Sequence, residues 1–183
     1  MALALAEAQK AYDLGEVPIG AVVVSGIEVI SSSYNRREFL NDPSSHAEFT
    51  AITEAAHKLN RWRLSDCTVY VTLEPCLMCA GLMHQARIRR CVYGAADPKA
   101  GALGSLYEVQ NDVRLNHTFA VTTAVLEDKS TSLLRNFFES LRNQERQDGS
   151  VIERVEHVPV TETEHAIVTE NEPETESETG IET

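Results

Sequence analysis

The sequence predicts an α/β domain built on a mixed sheet, and three observations carry that prediction. Ala21–Val24 and Ile27–Ile30 are two β-like runs joined at Ser25-Gly26, the signal of a hairpin and hence of one antiparallel pair. Thr68–Leu73 is a strand that delivers the chain to Pro75 and a helical segment reaching about Ala86, after which Arg90–Tyr93 is a strand again. That β-α-β order requires a parallel pair and a right-handed crossover. A fifth β run, Phe119–Val125, precedes a final helical segment.

The remaining elements follow in order. Ala2–Leu14 reads as an amphipathic helix, with Ala4, Ala8, Ala11 and Tyr12 on one face and Gly15 as its terminator. Asn35–Ser45 is a polar loop leading into a helix at His46, whose inward face is expected to be Phe49, Ile52, Ala56 and Leu59. Pro75 suits the first position of the next helix, where its missing N–H is not needed. Met78 and Met83 are expected to fill the core. Gly94–Ser105 is glycine-rich and irregular, the kind of loop that often carries recognition. Thr131 to about Arg146 reads as a helix with the wide apolar set Leu133, Leu134, Phe137, Phe138 and Leu141, for which core is the safer assignment. Part of that set could face a partner chain or stack a flanking base.

A chain of 183 residues with 43% apolar composition suits one catalytic-sized domain with a real core. The net charge of −12 is unevenly spread: Met1–Gly149 carries 15 basic against 18 acidic residues, while from Ser150 onward one arginine stands against ten glutamates. The domain is therefore assigned to 1–147 and an acidic tail, expected to be disordered, to 148–183. A nearly balanced domain does not announce nucleic-acid binding by its charge, so such binding would need clustered patches, for which Arg87, Arg89, Arg90, Lys99, Arg135, Arg142 and Arg146 are candidates. The apolar opening, Met1–Ala6, stops at Glu7 and lacks a basic leader, so neither a signal peptide nor a membrane span is expected. Four cysteines beside a metal-like motif fit a reducing, cytoplasmic setting.

Two short segments concentrate the chemistry. Ser45-His46-Ala47-Glu48 and Pro75-Cys76-Leu77-Met78-Cys79 hold three zinc-type ligands and one spare acid. His46, Cys76 and Cys79 would fill three corners of a tetrahedron, as in catalytic zinc sites that leave the fourth open. Cysteines three apart in a first helical turn share a face, and the helix dipole favours their thiolates. His46 and Glu48, two apart, cannot lie on one stripe, so the site is placed off the helix end, with His46 on the metal and Glu48 beside the water. A metal so held lowers the pKa of its water from ~15.7 toward ~7, and a carboxylate can then shuttle protons. The plainer alternatives are a Ser45-x-x-Glu48 capping box, a redox Cys-x-x-Cys, or a closed all-thiolate zinc site that recruits Cys67 and Cys91. Those last two lie in or beside β-like runs, where a cysteine usually acts as a small buried hydrophobe.

His46-x-Glu48 with Pro75-Cys76-x-x-Cys79 is the signature of zinc deaminases. The chain more specifically resembles the bacterial tRNA-specific adenosine deaminases. The likeness runs from about Leu3 to Arg142 and includes Glu16-Val17-Pro18-Ile19-Gly20, Asn35-Arg36, Thr72-Leu73-Glu74-Pro75-Cys76, Met78-Cys79-Ala80-Gly81, Asp97-Pro98-Lys99, Gly104-Ser105-Leu106 and Leu115-Asn116-His117. The resemblance implies a cytidine-deaminase-like three-layer αβα sandwich around a mixed five-stranded sheet. It also implies one Zn2+ per subunit held by His46, Cys76 and Cys79, with Glu48 as the proton shuttle. Asn35, Asp97, Lys99, Asn116 and His117 become candidate substrate contacts, with Asp97 suited to a ribose 2′-OH and Lys99 to phosphate. The implied reaction is hydrolytic deamination of the wobble adenosine to inosine in an arginine tRNA anticodon loop, by a homodimer. Glu127-Asp128-Lys129-Ser130 stands where many relatives carry a cysteine, so no metal or redox role is expected there, and the acidic tail has no counterpart in the family pattern.

Three rivals share part of this pattern. Deaminases of free guanine, cytosine or dCMP would need a pocket closed over the ligand. A riboflavin-pathway deaminase domain would be followed by a reductase, and a non-catalytic zinc scaffold would have no need of Glu48.

Overall fold

In the computed structural model, which describes residues 1–147, the hairpin is β1 (Gly20–Ser25) against β2 (Glu28–Tyr34). The pairing closes at Ser25↔Glu28 around a turn whose Gly26 takes φ +58°, a left-handed conformation that suits glycine. β2 runs four residues past the apolar stretch expected from sequence, through Ser31–Tyr34. Of its two buried serines, Ser31 is anchored, its hydroxyl donating to the Ala51 carbonyl at 2.6 Å.

β1 also pairs antiparallel with β3 (Cys67–Leu73), and β3, β4 (Arg90–Ala95) and β5 (Ala120–Thr122) run parallel. The sheet order is β2-β1-β3-β4-β5, a mixed five-stranded sheet as expected. β5 is shorter than its apolar run because the backbone turns left-handed at Ala124 and Leu126, which leads straight into α5 (Glu127–Gln147). α5 thus starts four residues before the position read from sequence.

Helices cover both faces. α1 (Ala2–Asp13) and α5 pack on one, and α3 (Ala47–Lys58) and α4 (Leu77–Gln85) on the other, which makes the three-layer αβα sandwich. The main core lies under α3 and α4: Ala21, Val23, Val69, Val71, Cys91 and Tyr93 from the sheet meet Ala47, Ala51, Ile52, Ala55, Ala80 and Met83. Side chains such as Ile52, Val69 and Met83, each 0–1% exposed, contribute about 1.5–3 kcal/mol apiece by leaving water.

The inward face of α3 is rotated from the expected one. Ala47, Glu48, Ala51, Ile52 and Ala55 are buried and Phe49 is only half-buried, because a stripe of alanines lets the helix approach the sheet closely. Met83 is core, as expected, but Met78 is 36% exposed. Cys67 and Cys91 are buried among apolar side chains. Among the described residues no helix is long and apolar enough to cross a membrane. The expected acidic tail, 148–183, lies outside the described residues.

Candidate active site

β3 ends where the site begins. Leu73 closes the strand, Glu74 and Pro75 follow, and Cys76 is the N-cap of α4, with extended backbone (φ −74°, ψ 174°) and a carbonyl that accepts the Ala80 N–H at 2.9 Å. The helix therefore starts two residues later than a Pro75 first turn would give. Pro75 instead offers its carbonyl to the Ala102 N–H at 2.9 Å, which holds it in the crossing loop. Cys79 is the third residue of α4 and fully buried.

His46 is the N-cap of α3, also extended (φ −73°, ψ 149°), and Glu48 lies in that helix's first turn. The capping-box alternative is not realised: the Ser45 hydroxyl donates to Asp42 at 2.7 Å, and α3 has no side-chain cap bond.

These elements bring the imidazole and both thiols together. His46 Nδ1 lies 3.7 Å from Cys76 Sγ and 3.6 Å from Cys79 Sγ, and the three atoms all fall within 4.8 Å of one another. Zinc bonds of about 2.0–2.1 Å to nitrogen and about 2.3 Å to sulfur would set the N···S edge of a tetrahedron near ~3.6 Å, so the donors fit a zinc ion in both chemistry and spacing. Cys67 and Cys91 are not in this cluster.

The electrostatics suit ligands and an acid. The Cys79 thiol's hydrogen bond brings the Cys76 pKa down to about 4, with further help from His46 and from the Cys79 backbone and against the cost of burial. The same hydrogen bond, with burial, pushes Cys79 up, so the pair keeps its negative charge on Cys76. His46 is raised, chiefly by its bond to Cys76. Glu48 is 4% exposed, and burial pushes its carboxyl above the usual carboxylate range, the direction a proton carrier needs.

Beside the cluster opens a cavity of about 450 Å³. His46, Glu48 and Cys76 form its floor and Asn35 one wall. Asp97, Pro98, Lys99 and Ala100 form another wall, and Leu134 and Phe138 of α5 complete it, so part of the apolar set assigned to the core faces the cavity instead. Asp97 is both a turn residue and a wall: its Oδ1 accepts the N–H groups of Lys99 (2.9 Å) and Ala100 (3.2 Å).

Asn116 and His117 are not brought to the cavity within this chain. The Asn116 carbonyl accepts from Arg87, and His117 Nε2 donates to the Ile88 carbonyl at 2.9 Å, both just before β4 begins. The six residues of β4, about 3.3 Å each, separate that end from the wall that follows Ala95.

Three charged residues of the site were not singled out from sequence. Arg37, on the short helix α2 (Arg37–Leu40), lines the cavity. Glu16, 2% exposed, accepts from Asn35 Nδ2 at 3.0 Å and from the Phe39 N–H at 2.7 Å, and so fixes how the Asn35 amide faces the cavity. Glu74, also 2% exposed, is held below the usual carboxylate range: burial pushes it up, but hydrogen bonds from Ser105, Asp97 and Leu103 outweigh burial. The only sequence signal for Glu16 and Glu74 is their place in the quoted family runs.

Residues 1–142 match the MafB19-like deaminase family. The chain is 44% identical over 143 residues to the tRNA-specific adenosine deaminase of Bacillus subtilis, covering 78% of this chain and 89% of that protein. It is 42% identical over 147 residues to the tRNA-specific adenosine deaminase of Haemophilus influenzae, covering 80% and 85%. A solved structure from work on A-to-I editing by tRNA:A34 deaminases at the wobble position matches with a TM-score of 0.71 at 45% identity, over 73% of this chain and 97% of that one.

Proposed function

The chain belongs to the tRNA-specific adenosine deaminases, within the MafB19-like deaminase family, and on that premise we propose that it converts the wobble adenosine of an arginine tRNA to inosine. The observation that carries this reading is the cluster of one imidazole and two thiols with the buried Glu48 beside it, at the foot of a cavity that could admit a single base.

His46, Cys76 and Cys79 are the proposed zinc ligands. A zinc ion bound there would supply the Lewis acidity that makes water a nucleophile near neutral pH. Glu48 does the proton work. It takes a proton from the water that attacks C6 of adenine and delivers it to N1, then carries the proton of the new C6 hydroxyl to the departing amino group, so that ammonia leaves and inosine remains. Its burial keeps it away from bulk water, which would otherwise compete for the proton.

Substrate holding falls to the walls. Asn35, oriented by Glu16, meets the target nucleoside. Asp97 meets a ribose hydroxyl through the carboxylate oxygen its own loop leaves free, and Lys99, exposed at the rim, meets phosphate. Phe138, 44% exposed on the cavity wall, is placed to stack a flanking base. An adenosine in an unpaired anticodon loop reaches such a pocket at lower unstacking cost than one in a duplex. Asn116 and His117 are proposed as RNA contacts outside the cavity. Residues 1–147 are taken as the catalytic domain, and the protein as a cytoplasmic homodimer.

The test is a comparison by mass of an arginine anticodon stem-loop, free adenosine and free guanine, each incubated with pure protein. Inosine in the stem-loop is the expected product. Turnover of a free base with the stem-loop unchanged would refute the assignment in favour of a free-base deaminase.

A further inference from the structure

Glu74 stands one residue before Pro75 and two before Cys76 and lines the same cavity as Cys76, and its carboxylate is engaged by a different loop. It accepts the backbone N–H groups of Asp97, Leu103 and Ser105, each at 3.0 Å, and also the Ser105 hydroxyl. All these donors belong to the segment 97–105, which carries the cavity wall from Asp97 to Ala100. The backbone ties the same two segments, as Ala102 N–H donates to the Pro75 carbonyl at 2.9 Å and Cys76 bridges to Gly101, and just before the loop Glu74 N–H donates to the Ala95 carbonyl of β4 at 2.8 Å. Gly101 is required by this contact. A Cβ there would run into the Glu74 carboxylate and come within 2.6 Å of the Asp97 carbonyl.

We infer that Glu74 is a positioning residue for substrate recognition: it makes the 97–105 loop and the segment holding Cys76 one rigid body, so that the recognition wall keeps a constant distance from the reacting centre. The physical reason is that backbone N–H groups in an irregular loop have no ladder partners of their own. A single buried carboxylate satisfies several of them with charge-assisted bonds, which are roughly twice as strong as neutral ones. Without it the stretch from Asp97 to Gly101, whose remaining ties are a few backbone bonds, would open locally, while Ala102 and Leu103 stay anchored in the hydrophobic core. Glu48 and the ligands are left intact by such opening, so the loss falls on how the substrate is held rather than on the proton transfer. The inference rests on the reading of this loop as a contact for the RNA substrate.

The test uses the full zinc-loaded chain with Glu74→Ala, Glu74→Gln and Ser105→Ala. Two readouts are followed: hydrogen exchange of the 97–105 amides, and kcat and KM on the stem-loop. Glu74→Ala is expected to speed exchange of these amides and to raise KM by roughly tenfold or more, with a smaller change in kcat and no loss of zinc. Glu74→Gln, which keeps one acceptor oxygen, should fall between wild type and Glu74→Ala. Should Glu74→Ala not fold, Ser105→Ala, at an exposed position, must show the same two effects in weaker form. Unchanged exchange in 97–105, or a fall in kcat with KM unmoved, would overturn the inference. If wild type leaves the stem-loop untouched, the functional reading fails, while the exchange measurement still decides whether Glu74 holds the loop.

Discussion

His46 and Cys76 each cap the amino end of a helix, and Nδ1 of the first lies 3.7 Å from Sγ of the second. α3 and α4 therefore point the positive ends of their dipoles, equivalent to roughly half a charge each, at one place. Both residues have extended backbones, so their side chains project off the helix ends instead of lying along the helix faces. That placement favours thiolate, and any anion formed beside it, without a surplus of basic side chains.

Removal of the metal should change cysteine reactivity in a defined order. After chelation, iodoacetamide should modify Cys76 first, because it is half-buried and its pKa is down at about 4. Cys79, fully buried and raised, should follow slowly. Mass mapping of the alkylated peptides checks this order. Equal labelling of all four cysteines after chelation, or Cys79 ahead of Cys76, would contradict it.

Glu48→Gln keeps the shape of the carboxyl but not its proton exchange. It should lower kcat by about 10²- to 10⁴-fold with zinc content unchanged. Steady-state kinetics together with metal analysis check this, and full activity would remove Glu48 from the mechanism.

Glu16 should matter for stability as well as for substrate. Glu16→Ala leaves Asn35 Nδ2 and the Phe39 N–H without their acceptor, a cost of about 1–3 kcal/mol, and frees the Asn35 amide to turn. A urea midpoint lowered accordingly, with KM for the stem-loop raised, is the expected pair of results.

Gly20 allows α1 to sit against the sheet. A Cβ there would overlap the backbone of Ala4 and Ala8 and come within 2.8 Å of the Glu7 Cβ. Gly20→Ala should destabilise by about 1–3 kcal/mol through overpacking, measured as a lower thermal midpoint, with faster hydrogen exchange in α1.

Acid should loosen the approach to His46 through Asp42. The Ser44 hydroxyl, then the Ser45 hydroxyl and the Ser44 N–H, hold this half-buried residue's carboxyl below its ordinary 3.8. A folded-state pKa that is depressed contributes stability above 3.8 and loses it as pH falls through the lower folded value. Wild type and Asp42→Asn should therefore differ in urea midpoint at neutral pH and converge in acid. A difference that persists at low pH would show that the carboxylate charge is not what acts.

The metal cluster could be seen in the sequence because the residue types and their spacing are themselves the chemistry: a thiol pair three apart and an imidazole two before an acid have few other uses together. The hairpin and the β-α-β unit were readable for a similar reason, since apolar runs and turn residues are local signals. Glu16 and Glu74 were not readable as structural anchors, because the N–H groups that give each carboxylate its role lie 19 to 31 residues away. The inward face of α3 was misplaced because Phe49 outweighs Ala47, Ala51 and Ala55 in hydrophobicity, whereas close approach to the sheet rewards small residues. Leu134 and Phe138 look like core on a helical wheel, and only the position of α5 beside the cavity shows the face they line.

The central claim is that three side chains hold a zinc ion and leave one position to the reaction. X-ray absorption at the zinc edge on the full chain tests it most directly. The expected shell is one nitrogen at about 2.0–2.1 Å, two sulfurs at about 2.3 Å and one light atom not supplied by the protein, unchanged in Glu48→Gln. A third sulfur, a fourth protein ligand, or a chain that binds no zinc would contradict it.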